Sequence, residues 1–170
     1  DLPAPNDKGD LVSRITASAG AQTGSLAVLP IGEVLRLELS GRQVVPLVKA
    51  GEVDLLGRLQ FAPEMIEIDG WDADLFAAVS AHFPQAIAAL RTEFTTGAEL
   101  LSYSRQGVST FHLLADYHGL DREGRFVLDL IRSAHRAFVE AGIRQEVSLI
   151  GSGGMIAAEH IPKAILCGLD

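Results

Sequence analysis

An α/β fold is predicted, a (β/α)8 TIM barrel of which this chain is expected to be the C-terminal portion, lacking the first strands and the last strand. Three observations carry that expectation. Apolar runs at 87–94, 108–115 and 147–150 are each followed by a turn and a helical pattern, the order that builds parallel strands with helices outside. The helical patterns open on capping residues, Asp72 and Thr96. A Gly-Ser-Gly-Gly turn, 151–154, comes late in the chain. Late strand ends are where barrels hold phosphate, whereas open dinucleotide-binding sheets carry their glycines in the first strand-to-helix turn.

Taken in order, DLPAPNDKGD (1–10) combines two prolines, a glycine and four charged residues. It reads as an irregular connection, with 1–12 a linker ahead of one partial barrel domain over 1–170. Ser, Ala, Gly and Thr dominate 13–30 without a period. Val34, Leu35, Leu37 and Leu39 alternate with Arg36 and Glu38 well enough for a strand. Residues 44–50 read as a short helix broken at Gly51, and 64–70 as a short strand or extended loop ended by Asp69-Gly70. Asp72 caps a helix through Leu75, Phe76, Val79 and Phe83 that stops at Pro84. A strand follows over 87–94, then a helix from Thr96 to Gly107, a strand over 108–115 and a polar loop over 116–124. The helix over 126–141 places Val127, Leu130, Ile131, Ala134, Phe138 and Val139 on one side, and Gly142 ends it. Beyond the 151–154 turn a helix runs through Ile161, Ala164 and Ile165, with Pro162 in its first turn. This counts about five strands, too few to close a barrel.

Composition narrows the function classes. With 170 residues, 48% of them hydrophobic, the chain can bury a core, and disorder is excluded. A net charge of −8 without a Lys/Arg stripe disfavours nucleic acid. One cysteine rules out a disulfide framework, a CxxC-type zinc cluster or an iron–sulfur site complete within these residues. No apolar run reaches spanning length, so no membrane partner is expected, and the expected location is cytoplasmic.

The stretch HRAFVEAGIRQEVSLIGSGGMIAAEHIPKAILCGLD resembles the FMN-binding barrel of the glutamate synthase family. The residues that carry it are His135, Gly142-Ile143-Arg144, Gly153-Gly154, Ala157-Ala158, Lys163-Ala164 and Gly168-Leu169-Asp170. Upstream, 106–111 is similar to the approach to the family's sixth barrel strand, and 87–94 to the strand before it. Ser13–Gly20 and Gly32–Arg42 resemble it weakly. The resemblance implies an FMN-dependent oxidoreductase delivering a hydride to an imino-acid type substrate. It implies FMN phosphate held by Ser152, Gly153 and Gly154, and Arg91 where the family has a lysine near the flavin. It places any iron–sulfur cluster outside this segment. The partners implied are a small-molecule substrate and the rest of a parent chain that completes the barrel. Two loops depart from the family: its Gln-Gly-Ala-Lys-Pro-Gly-Glu-Gly-Gly run is replaced near 40–43, and its Gly-His-Asp-Gly-Gly-Thr-Gly loop by Ala115-Asp116-Tyr117-His118-Gly119.

Each candidate also has a plainer reading. Ser152-Gly153-Gly154 can cradle an anion with backbone N–H groups, or be a tight turn. Arg91 can stabilise charge on a reduced flavin, or pair with Glu93 or a helix carboxylate. Asp116 and His118 follow a buried strand at its C-terminal end, where barrels place catalytic acids and bases; otherwise they are a solvated Asp–His pair. His112 alternates with apolar neighbours on its strand and could line the barrel interior; the favoured reading is a satisfied core histidine. His135 and His160 read as packing or surface residues, and no spacing of His and carboxylates makes a metal site. Cys167 reads as a buried helix residue and Trp71 as a loop anchor. The alternative function is a degenerate barrel serving as a structural or phosphate-ligand-binding module without redox chemistry. An IMP-dehydrogenase-like barrel shares a Gly-Gly turn, but its catalytic cysteine loop has no counterpart here.

Overall fold

A computed structural model describes residues 7–170. It falls into two compact units, one ending at Ala88 and the other beginning at Ala89. In the first unit, α1 (Asp7–Thr23) leads into β1 (Ala27–Pro30), α2 (Ile31–Arg36), β2 (Val44–Val48), α3 (Val53–Leu56), β3 (Met65–Asp69) and α4 (Ala73–His82). β1 pairs with β2 in parallel (Ala27 opposite Val44, Pro30 opposite Leu47). β2 pairs with β3 in parallel, with Leu47 opposite Glu67 and Val48 opposite Ile68. Ile66 and Ile68 of β3 pack with Val48, Leu56, Leu75 and Val79 in one apolar cluster. Asp72 caps α4 by accepting the Leu75 N–H at 3.0 Å, and Trp71 rests on Phe76 with ring centroids 5.6 Å apart. The loop-anchor reading of Trp71 follows from that contact.

Three expectations change here. Residues 7–23 form a helix rather than an irregular connection; residues 1–6 lie outside the described part. α1 is held by a narrow seam of small buried residues, Ser13, Ala17 and Gly20. The Ser13 hydroxyl also bonds the Glu33 carboxylate, and Arg36 grips Asp10 with both terminal nitrogens. Residues 31–36 are helical, not extended. Residues 44–48 are a strand, not a helix, and every residue in it is buried. A parallel strand covered on both faces shows no polar alternation, which is why its apolar run resembled a helix segment.

The second unit holds β4 (Ile87–Glu93, whose first two residues belong to the preceding unit), α5 (Gly97–Arg105), β5 (Thr110–Leu114), α6 (Val127–Glu140), β6 (Ser148–Ser152) and α7 (His160–Cys167). β4 and β5 run parallel with Arg91 opposite His112; β5 and β6 run parallel with His112 opposite Ile150 and Leu114 opposite Ser152. Thr96 and Glu99 form a capping box at the start of α5. α6 buries Val127, Leu130, Ile131, Ala134 and Phe138 as its periodicity requires, while Val139 is half exposed. Phe138 meets Phe111 of β5 with centroids 5.4 Å apart. The odd-numbered residues of β5 therefore face α6, and Thr110, His112 and Leu114 face the other way.

Among the described residues there are six strands rather than about five. Strand–helix alternation with parallel pairing is the construction of a (β/α) barrel, and this chain has the fold of part of one. Among the described residues, no helix is long and apolar enough to cross a membrane.

Candidate functional site

The candidate residues lie in the second unit, on the strand face opposite α6. Side chains alternate along a strand, so the register puts Arg91, His112, Ile150 and Ser152 on one face of three adjacent strands. Arg91 and His112 are both half-buried. The His112 ring lies with Nε2 at 3.0 Å from Ser152 Oγ. His112 is thus satisfied by a hydrogen bond, as its plainer reading has it, but it is half-buried rather than in the core, and its partner is the serine of the glycine turn.

Ser152 ends β6, and its carbonyl accepts the Ala115 N–H at 2.8 Å. Gly153 and Gly154 follow with φ of +105° and +68°. A Cβ on Gly153 would lie 2.4 Å from the Ala115 carbonyl oxygen. One on Gly154 would lie 2.5 Å from Gly119 Cα. Both glycines are thus demanded by a backbone-to-backbone contact with the loop after β5, whether or not a ligand binds. On the donor side, the N–H groups of Gly153, Gly154 and Met155 make no hydrogen bond among the described residues. Three consecutive free N–H groups and a serine hydroxyl suit an anion. α7 begins at His160, beyond Gly154 and the intervening segment, so the turn itself and not the helix terminus supplies these donors. Pro162 does fall in the first turn of α7. A cleft of about 170 Å³ opens beside Gly154 and Met155, walled by Phe126, Val127 and Ile131, with His160 and Lys163 on its α7 side.

The loop after β5 is built by its own carboxylates. Asp116 Oδ1 accepts the N–H groups of His118 and Leu120, both at 2.8 Å. Asp121 Oδ1 accepts those of Glu123 at 3.0 Å and Arg125 at 2.8 Å, and its Oδ2 takes the Arg125 guanidinium at 2.7 Å. Burial opposes ionisation of Asp121, whose side chain is 6% exposed. The Arg125 N–H and guanidinium and the Glu123 N–H outweigh it and hold the carboxyl below its ordinary value. Asp116 and His118 therefore meet through the His118 backbone, while the His118 ring stands exposed, edge-on to Tyr117. Glu93 is engaged by Arg122 at 2.6 Å. At the C-terminal ends of β4 and β5 this loop walls a cleft of about 460 Å³, lined among others by Glu93, Phe94, Leu114, Asp116 and Arg122.

His135, Gly168 and Asp170, three of the residues singled out in the sequence, converge elsewhere, on Arg144. Its Nε donates to His135 Nδ1 at 3.0 Å, and its terminal nitrogens donate to the carbonyls of Val147 at 2.6 Å and Gly168 at 2.8 Å. Asp170 Oδ2 completes the set at 3.0 Å. A Cβ on Gly168 would meet His135 Cβ at 2.5 Å. Asp170 in turn accepts the Leu149 N–H at 2.7 Å and gives its own N–H to the Leu149 carbonyl at 3.0 Å. His135, Arg144, Gly168 and Asp170 thus tie the end of α7 to β6. The spacing of a His, a Gly-x-Arg and a Gly-x-Asp was the visible signal, but nothing in it told a clamp from a binding set. His160 Nδ1 takes the Ile156 N–H at 3.3 Å, and Cys167 is half-buried on α7. Among the described residues no group of three or more His, Cys, Asp or Glu is placed to hold a metal.

The arrangement defines a class: part of a parallel (β/α) barrel with a donor-rich turn at the C-terminal end of a strand. No family model and no curated protein matches the chain. Solved structures do. It is similar to nitroalkane oxidase from Streptomyces ansochromogenes, at 17% identity and TM-score 0.67 over 98% of this chain and 62% of that one. It is similar to FabK from Thermotoga maritima, at 9% identity and TM-score 0.69 over 91% of this chain and 51% of that one. Inosine 5′-monophosphate dehydrogenase from Legionella pneumophila aligns at 15% identity and TM-score 0.69, again over 91% of this chain and 51% of that one. The chain spans between about half and two thirds of each of these structures. At such identities the likeness establishes the fold, and one fold carries many chemistries.

Proposed function

We propose that this chain is the FMN-binding part of an oxidoreductase barrel resembling glutamate synthase, acting on an imino-acid type substrate. The observation that carries the reading is the turn itself: free N–H groups at Gly153, Gly154 and Met155 beside the Ser152 hydroxyl, at the strand end where barrels hold phosphate. In this reading the turn grips the FMN phosphate. Arg91, on the same strand face as Ser152, supplies positive charge toward the flavin pyrimidine edge. An arginine there presents a wide planar fork where a lysine presents a point charge, so it needs more room. Bound flavin would supply hydride transfer to the C=N carbon of the substrate. The Asp116 carboxylate accepts the loop N–H groups of His118 and Leu120 and so shapes the substrate-side wall; the exposed His118 ring is the proton-handling candidate.

A second reading is a phosphate-ligand-binding module without redox chemistry. It is favoured by the packing role that both glycines already have and by the loop that replaces the family's glycine-rich one. Visible absorbance of the purified protein, followed by titration with FMN and with riboflavin, separates the two. FMN uptake with a flavin spectrum supports the first. A well-folded protein that stays colourless and takes up no added FMN sinks it, and phosphate-dependent binding of other ligands then favours the second.

A further inference from the structure

We propose that His112 is a positioning residue for the anion turn. Its Nε2–H donates to Ser152 Oγ and thereby turns the single hydroxyl proton of Ser152 outward, onto the bound phosphate. The inference rests on the reading of Ser152–Met155 as the phosphate grip and adds a residue that sequence analysis assigned to the core.

A serine hydroxyl has one proton and two acceptor lone pairs, and a neutral imidazole has one N–H and one bare nitrogen. At 3.0 Å between Nε2 and Oγ, two arrangements are available. If Nε2 is bare, the hydroxyl donates inward to it, and Ser152 shows an anion only its lone pairs. If Nε2 carries the proton, it donates to Oγ. The hydroxyl proton is then released to join the N–H groups of Gly153, Gly154 and Met155. Neither partner can turn away easily. The Ala115 N–H on its carbonyl holds the Ser152 backbone, and His112 lies half-buried in the middle of β5, between the two strands that pair with it. An anion stabilises the second arrangement alone. By reciprocity, anion binding and the Nε2–H tautomer favour each other.

The experiment is FMN titration of the wild-type protein and of His112→Gln, His112→Leu, Ser152→Ala and the two double variants. Glutamine keeps an N–H donor at a similar reach and leucine does not. His112→Gln is expected to bind within roughly threefold of wild type and His112→Leu roughly tenfold more weakly, as for loss of one hydrogen bond to a charged group. In the Ser152→Ala background the two His112 variants become equal, because there is no hydroxyl left to orient. A leucine variant that binds like wild type, or a loss that persists without the Ser152 hydroxyl, overturns the proposal. Nitrogen NMR of labelled histidine in the FMN-bound wild type gives a readout independent of any variant's folding. A protonated Nε2 on His112 is expected, and a bare Nε2 overturns it. Wild-type protein that binds no FMN defeats the proposed function and this inference with it. Wild-type binding without the His112 pattern defeats this inference alone.

Discussion

Replacing Gly153 by alanine tests whether the glycine turn is set by packing. The added Cβ would lie 2.4 Å from the Ala115 carbonyl oxygen, 2.6 Å from its carbon and 2.7 Å from the Asp116 carbonyl oxygen. All three are backbone atoms at the end of β5, so no side chain can rotate away. Placing an L-residue in the left-handed region costs about 1–2 kcal/mol. Forcing extra volume into a packed contact costs about 1–3 kcal/mol more. The sum, about 2–5 kcal/mol, is a large part of the 5–15 kcal/mol typical of a domain. Gly124 supplies an internal control, with φ of +77° and nothing within 4 Å of its added Cβ. Gly124→Ala should cost only the backbone term. Urea unfolding followed by far-ultraviolet circular dichroism should move the Gly153→Ala midpoint down by roughly 1–2 M, at the usual slope of about 1–3 kcal/mol per molar, and the control by less than half as much. Equal shifts for the two variants, or none at Gly153, would refute the packing argument. The same clash disqualifies Gly153 as a probe of anion binding, which falls instead to Ser152, where truncation adds no volume.

Three further outcomes are expected. Arg144→Lys cannot reach His135 Nδ1 and the carbonyls of Val147 and Gly168 together, and should destabilise the second unit by about 2–3 kcal/mol while speeding amide exchange at Leu149 and Asp170; wild-type exchange at both would contradict the clamp. Thr96→Ala should cost about 1 kcal/mol through loss of the α5 cap. Glu99 is held below its ordinary value chiefly by the Thr95 hydroxyl, then by the Thr96 hydroxyl and N–H. Because its folded value lies below the unfolded one, its contribution is complete above about pH 4.3 and fades as the pH falls through the folded value. Glu99→Gln should therefore flatten the stability profile below about pH 4.3; an unaltered acid limb would argue against it.

Legibility differed sharply between the two halves. In the second, local chemistry and tertiary packing agree: Thr96 with Glu99 announces α5, and the apolar stripe of α6 is the face that meets Phe111. In the first, they part. β2 is apolar throughout because it is covered on both faces, so it shows no alternation that would tell a strand from a short buried helix. α1 is held by Ser13, Ala17 and Gly20, a seam too small and polar to register as an apolar stripe, although its spacing is helical. At the candidate site, the strand-then-glycine order put the 151–154 turn after a strand ending at Ile150, whereas β6 runs on through Ser152 and the turn begins at Gly153. The pairing of His112 with Ser152 was invisible, since it joins residues 40 apart through a register that only the sheet fixes. Alternation along β5 did put His112 opposite Phe111, and that was the available hint.

The contact between Gly119 and Gly154 bears on how this protein could be re-engineered. The exposed loop after β5 is an accessible place to graft new sequence. Its Cα at 119, however, occupies the space that any side chain at 154 would need. A transplanted loop that places a bulkier backbone or a side chain there would push the neighbouring turn out of shape and carry its donors with it. Loop exchange and the shape of the 152–155 turn are therefore not independent design variables: a library built across 116–125 should keep glycine at 119, or vary 119 and 154 as a pair.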